Sequence, residues 1–237
     1  MLIAPQISSA DDPIATNLHS VRAEIATAAA AAHRTVESIT LVAVSKGHGA
    51  QRLRAAAALG VTDFGESYLQ EAVPKLDALA DLPLTWHFIG RVQANKSAAI
   101  AQRFHWVHGI DRLKLAERLS AQRPHYAPAL QVCIQVNIAH ESAKAGVEPE
   151  AAAELAAAIR ALPKLQLRGL MCILPVDRTV EDNRRGFQAL RELLLQLDAR
   201  IGGLDTLSMG MSADYRQAIE QGATLLRIGT AIFGPRP

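Results

Sequence analysis

Eight short β-branched runs, each separated from the next by a longer Ala- and Leu-rich stretch, constrain this chain of 237 residues more than any other feature. They are Ile39-Ser45, Val61-Gly65, Thr85-Ile89, Trp106-Ile110, Gln131-Ile138, Leu167-Ile173, Asp205-Met209 and Thr224-Gly229. Several, such as ITLVAVS and VCIQVNI, are apolar throughout rather than alternating, the pattern of parallel strands covered on both faces. The intervening segments supply the cover. Phe187, Leu190, Leu194 and Leu197 repeat at three and four, Pro149 follows Glu148 at a first-turn position, and Gly60 and Gly222 stand where a helix-ending glycine belongs. Ile14, Leu18, Val21 and Ile25 mark an additional N-terminal helix, while Pro74 inside the 68–79 segment predicts a kink or break there. No Pro-, Gly- or Ser-rich linker and no fixed-period repeat divides the chain. The α/β class follows, as a single (β/α)8 TIM barrel over 1–237 with an extra N-terminal helix. A doubly wound open sheet is the alternative, weakened by the lack of G-x-G-x-x-G after the first run.

Composition narrows the partners. Lys and Arg total 25 against 23 Asp and Glu, a net charge of +2, which by itself points to neither nucleic acid nor an anionic membrane. The N-terminus, MLIAPQISSADDP, lacks a basic stretch leading into an apolar core, and 18 apolar residues nowhere run unbroken. The expectation is a cytoplasmic protein, neither exported nor membrane-spanning. Cys133 and Cys172 lie inside apolar stretches without metal spacing and are expected to be buried free thiols.

In such a barrel, chemistry sits at the C-terminal ends of the strands, and phosphate commonly on the loops after strands 7 and 8. Strand 1 ends at Ser45-Lys46, strand 7 runs into Ser208-Met209-Gly210-Met211-Ser212, and strand 8 ends in Arg227-Ile228-Gly229-Thr230. Closure brings strand 8 against strand 1, so Lys46 and Thr230 become neighbours at one rim. Gly229-Thr230 opens a short helix-like turn whose free N–H groups and hydroxyl suit a phosphate, with Ser208 and the SMGMS turn adding donors. Taken singly, Gly210 and Gly229 read equally as turn glycines and Ser212 as the cap of a helix over 213–221. Lys46 ends an apolar strand, where a snorkelling rim lysine and an imine-forming amine both fit. His87 ends strand 3 and is a candidate to face the mouth, with a satisfied structural histidine as the alternative. His105 and His108 lack a third ligand at metal spacing, so no metal is assigned. Asp111 reads as a helix cap, and Asn137, near the end of strand 5, as a residue lining the mouth.

The segments LVAVSK, DFGESYLQE, WHFIGRVQANK, IDR, IQVNI, LRGLM, LDTLSMGMSAD and RIGTAIFG, in this order from Leu41 to Gly234, resemble the pyridoxal phosphate homeostasis proteins. Their fold is similar to the barrel domain of bacterial alanine racemases and eukaryotic-type ornithine decarboxylases, the type III pyridoxal-phosphate fold. The resemblance implies pyridoxal 5′-phosphate (PLP) bound as an imine to Lys46, phosphate held by Ser208, Gly229 and Thr230, and Arg227 beside the pyridine nitrogen. Met209, Asn137, His87 and Ser67 complete the implied cofactor-binding set. The sequence also departs from the family. Ser67 stands where GENY has Asn, Gly47-His48 follow the lysine where Thr-Lys is common, Arg91-Val92 replaces Pro-Leu, Ala94 replaces Ser, and Ala139 to Lys144 is looser than SDEPSK.

An arginine beside the pyridine nitrogen cannot accept a proton, so the ring stays a poor electron sink. The sequence stops three residues after Gly234, so no second domain carrying another acid or base is expected. The reading that follows is a protein without a dedicated catalytic activity, which holds PLP and delivers it to PLP-dependent apoenzymes in vitamin B6 homeostasis. It is expected to act as a monomer. A low-activity PLP-dependent amino-acid racemase or decarboxylase is the alternative, and a cofactor-free Schiff-base aldolase is a third reading that would use the same lysine and phosphate cradle.

Overall fold

The computed structural model describes residues 13–139 and 145–236. The segment 1–12 and most of the stretch compared with SDEPSK, residues 140–144, lie outside the described residues. The eight strands are β1 (Thr40–Val44), β2 (Asp63–Glu66), β3 (Thr85–Phe88), β4 (Trp106–Ile110), β5 (Leu130–Gln135), β6 (Leu165–Met171), β7 (Thr206–Ser208) and β8 (Leu225–Ile228). They form a closed parallel barrel in sequence order, and β8 returns to β1 with Val42 opposite Arg227 and Ala43 opposite Ile228. The expected barrel is therefore present. Helices α1 (Pro13–Ala31), α2 (Ala50–Ala58), α3 (Leu69–Ala78), α4 (Ser97–Arg103), α5 (Leu113–Gln122), α6 (Ala152–Arg160), α7 (Val180–Ile201), α8 (Tyr215–Glu220) and α9 (Thr230–Phe233) complete it.

Period-two alternation divides each strand between two environments. Ala43, Phe64, Phe88 and Val107 belong to the apolar layer packed against the helices, together with Leu53, Ile100, Leu119 and Leu190. The opposite set faces the barrel interior, and on β1 that set is Val42 and Val44, with Lys46 next in phase. Helix α1 buries Ile14, Leu18, Val21, Ile25 and Ala29, and its Asn17 donates to the Ile232 carbonyl at 3.1 Å. Arg22 donates to the Leu59 and Gly60 carbonyls, so the same helix ties down the end of α2.

Three local expectations are corrected. Helix α3 is continuous from Leu69 to Ala78 with Pro74 inside it, so the expected break is absent. The carbonyl that loses its partner is that of Gln70, an exposed first-turn residue, which places the defect where water can reach it. Asp111 does not cap α5; Arg112 holds that position without a side-chain bond and pairs with Asp111 instead. Helix α8 starts later than the sequence suggested, and Asp214, not Ser212, occupies its cap position. Among the described residues, no helix is long and apolar enough to cross a membrane, and no cluster of His, Cys, Asp and Glu is placed to hold a metal ion. Cys133 and Cys172 are buried free thiols, and burial pushes both up to about 12.

Candidate functional site

Lys46 lies two residues beyond the end of β1 and is half-buried at the mouth of the barrel. The turn behind it is tied at two points: the Gly47 N–H donates to Glu71 Oε2 at 2.9 Å, and the His48 N–H returns to the Ser45 carbonyl at 3.1 Å. The lysine opens onto a cavity of about 480 Å³ lined by Lys46, Gly47, Tyr68, Glu71 and Arg236. Burial, then the charges of Arg236 and Arg227, hold its ammonium below the ordinary lysine range, against the opposing pull of Glu66 and Glu71. A larger share of neutral amine, which is the nucleophilic form, follows from that.

Beneath the turn, Glu66 is fully buried and accepts from Lys75 Nζ at 2.7 Å and from the Ser45 hydroxyl at 2.6 Å, while Lys75 also donates to the Ser45 carbonyl at 2.9 Å. This cluster clamps α3 to the ends of β1 and β2. Burial raises the Glu66 carboxyl despite its hydrogen bonds, and its Oε2 has no protein partner.

On the other side of the mouth, α9 begins at Thr230, directly after β8. Its first amides point out of the helix start, and the Ser212 hydroxyl lies 3.4 Å from the Ala231 nitrogen. Gly229 allows a close approach, since a Cβ there would lie a tight 3.0 Å from the Val44 carbonyl oxygen. Gly210 has φ of +92°, and a Cβ would sit 2.7 Å from that of Ala218. Gly229 thus lets the start of α9 lie close to the end of β1, and Gly210 lets the turn after β7 pack against α8.

The structure corrects the place expected for Ser208. Its hydroxyl is wholly buried in the barrel and bonded to Arg227 Nη1 at 2.6 Å and His108 Nδ1 at 2.7 Å, so it braces the arginine; the hydroxyl at the helix start is that of Ser212. Arg227 also donates from Nη2 to the Cys172 carbonyl at 2.8 Å, and burial lowers its guanidinium from the ordinary range. His87 does not line the cavity of Lys46. It is 1 % exposed and lies between His108 at 3.0 Å and Asp63 at 2.9 Å. Ser67 lines a neighbouring cavity of about 270 Å³, with Arg91, Gln93 and Lys96. Asn137 is buried and donates to Glu148 at 2.9 Å, and Met209 is completely buried.

With this geometry in view, the comparisons are specific. The alanine racemase N-terminal domain family matches residues 16–237. The pyridoxal phosphate homeostasis protein of Pseudomonas aeruginosa is 53 % identical over 223 residues, covering 94 % of this chain and 96 % of that protein. The chain belongs to the family of pyridoxal phosphate homeostasis proteins. Its counterpart in Escherichia coli K12 is 46 % identical over 230 residues, covering 94 % and 97 %. PipY of Synechococcus elongatus, solved with PLP bound, is 35 % identical with a TM-score of 0.82, covering 93 % of this chain and all of that one. The alanine racemase of Corynebacterium glutamicum, 21 % identical, shares the fold with a TM-score of 0.70 over 95 % of this chain and 62 % of its own.

Within this homeostasis-family barrel, sequence reasoning passed over Glu66, Lys75, Glu71, Arg236 and Asp63, and had Ser212 only as part of the SMGMS turn of candidate donors, with a helix cap as the alternative. The signal was present for two of them, because Asp63 and Glu66 are acidic residues in an otherwise apolar strand, DFGE, where only paired charges survive burial.

Proposed function

We propose that this protein binds pyridoxal 5′-phosphate at the mouth of its barrel, holds it covalently but reversibly on Lys46, and hands it to PLP-dependent apoenzymes. The observation that carries the reading is Lys46 itself, an amine of depressed basicity at the end of an apolar strand, opening onto a cavity at the barrel rim. When bound, PLP supplies an aldehyde that condenses with an amine and a pyridine ring that withdraws electrons. The residues present fit that group. Lys46 provides the amine; Gly229, the Thr230 and Ala231 amides, and the Ser212 and Thr230 hydroxyls provide donors for the phosphate; Arg227 provides a charged donor for the ring nitrogen. Since a guanidinium donates and does not accept, Arg227 leaves that nitrogen unprotonated and weakens the ring as an electron sink. Met209, Asn137, His87 and Ser67 do not line the cavity of Lys46 and are given no role in holding the group. We read the chain as one barrel domain acting as a monomer in the cytoplasm, the compartment being supported by its free buried thiols.

Two assays on the loaded protein test the role. Exchange of the α-proton of alanine, serine, ornithine and lysine in deuterated water should be slow, while an added apoenzyme should gain activity as the protein loses its colour. Rapid exchange that disappears in Lys46→Ala would replace this reading with a PLP-dependent racemase or decarboxylase. A protein that cannot be loaded at all would leave the cofactor-free aldolase reading.

A further inference from the structure

Four hydrogen bonds cross the barrel interior from β8 to β2, and their two ends are of opposite chemical kind. Arg227 has donors only, and an ionised Asp63 has acceptors only. Between them lie Ser208, His108 and His87, at successive distances of 2.6, 2.7, 3.0 and 2.9 Å. Each intermediate group, when neutral, has one proton to give and a lone pair to receive with. The assignment is therefore forced from either end. Arg227 Nη1 donates to Ser208 Oγ, the Ser208 hydroxyl donates to His108 Nδ1, His108 Nε2 donates to His87 Nδ1, and His87 Nε2 donates to Asp63 Oδ1.

The alternative protonation is worse on two counts. A proton added to His87 would make both its nitrogens donors and turn His108 round to donate to Ser208. The Ser208 oxygen would then receive two bonds with no acceptor among the described residues for its own hydrogen, and the interior would hold a buried imidazolium beside a His108 that already feels the Arg227 charge. Burial already holds both imidazoles below their ordinary range, His108 the more strongly. Burial works to raise Asp63 too, but the hydrogen bonds from His87 and Thr62 outweigh it and keep the carboxyl below its usual range. Among the described residues, Arg227 has no carboxylate within ion-pair distance; the buried Asp214 acts on it through space, and Asp63 is the carboxylate to which its donors are connected through hydrogen bonds.

We infer that Asp63, at the start of β2, positions Arg227 through a one-directional hydrogen-bond chain that fixes His87 and His108 as neutral Nε2–H tautomers. Asp63, His87, His108 and Ser208 are then positioning residues, and the bonds between them polarise one another in the same sense. The purpose given to Arg227 rests on the proposed PLP reading; the chain itself does not.

The test uses ¹⁵N-labelled protein without cofactor. Long-range ¹H–¹⁵N correlation spectra at neutral pH should show His87 and His108 each protonated on Nε2 alone. A proton on Nδ1 of either ring, or an imidazolium, overturns the inference. In Asp63→Leu the terminal acceptor is gone, and His108, two links away, should lose its single tautomer while the Arg227 Nε–H resonance moves. Should that variant not fold, Asp63→Ala, which also removes the acceptor, serves for the same comparison, with the Arg227 resonance as readout. An unchanged His108 in a folded Asp63→Leu, or an unmoved Arg227 resonance in Asp63→Ala, reduces Asp63 to a local structural role and contradicts the proposal. Failure of the protein to take up PLP would overturn the proposed function and leave these spectra untouched.

Discussion

The two cations of the site, Lys46 and Arg227, are held in opposite ways. Lys46 is half-buried, projects from a turn secured by backbone bonds, and looks onto an open cavity with Glu71 and Arg236. Arg227 is 4 % exposed, and two of its nitrogens are committed to Ser208 and the Cys172 carbonyl. In the proposed role, the group that would form and break a bond looks onto open space, and the group that would keep one protonation state is surrounded by fixed partners. The difference teaches that removing the first should cost function with little stability, whereas disturbing the second should cost stability.

The sharpest break in this comparison is Lys46→Ala. Covalent loading should vanish completely, while urea unfolding should change by no more than about 0.5 kcal/mol, as for surface substitutions. Next is the phosphate cradle: Ser212→Ala and Thr230→Val each remove a hydroxyl facing an anion, a loss of about 1.5–3 kcal/mol, or roughly 10- to 150-fold in PLP affinity by titration. Unchanged affinity in both would move the phosphate to another loop. Ser208→Ala should behave in the reverse manner to Lys46→Ala. It leaves the buried Arg227 and His108 nitrogens without a partner and should lower unfolding stability by roughly 1–3 kcal/mol.

The smallest effect is a pH dependence. His87 and His108 are held below 6.5 by burial, so over that interval the unfolded chain binds more protons and stability rises with pH. The gain is at most about 1.4 kcal/mol per pH unit for each ring and levels off above about 6.5. Glu66, raised by burial, contributes the opposite slope, because the folded chain takes up its proton first. Glu66→Gln should therefore steepen the rise between pH 5 and 7 in urea unfolding experiments. A flat profile in that variant would mean that the histidines are not buried neutral.

The barrel was legible because apolar runs such as ITLVAVS cannot face water on either side, and eight of them separated by helical segments leave few topologies. Lys46 was legible for the same reason, as a charged residue at the end of such a run. The placement of Ser208 and His87 was not. Both are strand residues near a C-terminal end, and whether such a residue reaches the rim or turns into the interior depends on barrel stagger and on where the chain leaves the strand. The turn at Gly210 is what carries Ser212, four residues after Ser208, to the start of α9. Pro74 misled because proline is a poor guide within the first turns of a helix, where the carbonyl it deprives can lie toward solvent. The interior chain spans β2, β3, β4, β7 and β8, and no spacing along the sequence relates Asp63 to Arg227. Its clue was compositional, in acids and histidines lying in strands that should be apolar.

The central claim is that Lys46 is the group to which the cofactor attaches, and borohydride reduction of the PLP-loaded protein followed by peptide mass analysis tests it directly. The account predicts loss of the yellow colour and one pyridoxyl mass, on the peptide containing Lys46. A label confined to any other lysine, or no label on a protein that has taken up PLP, would contradict it.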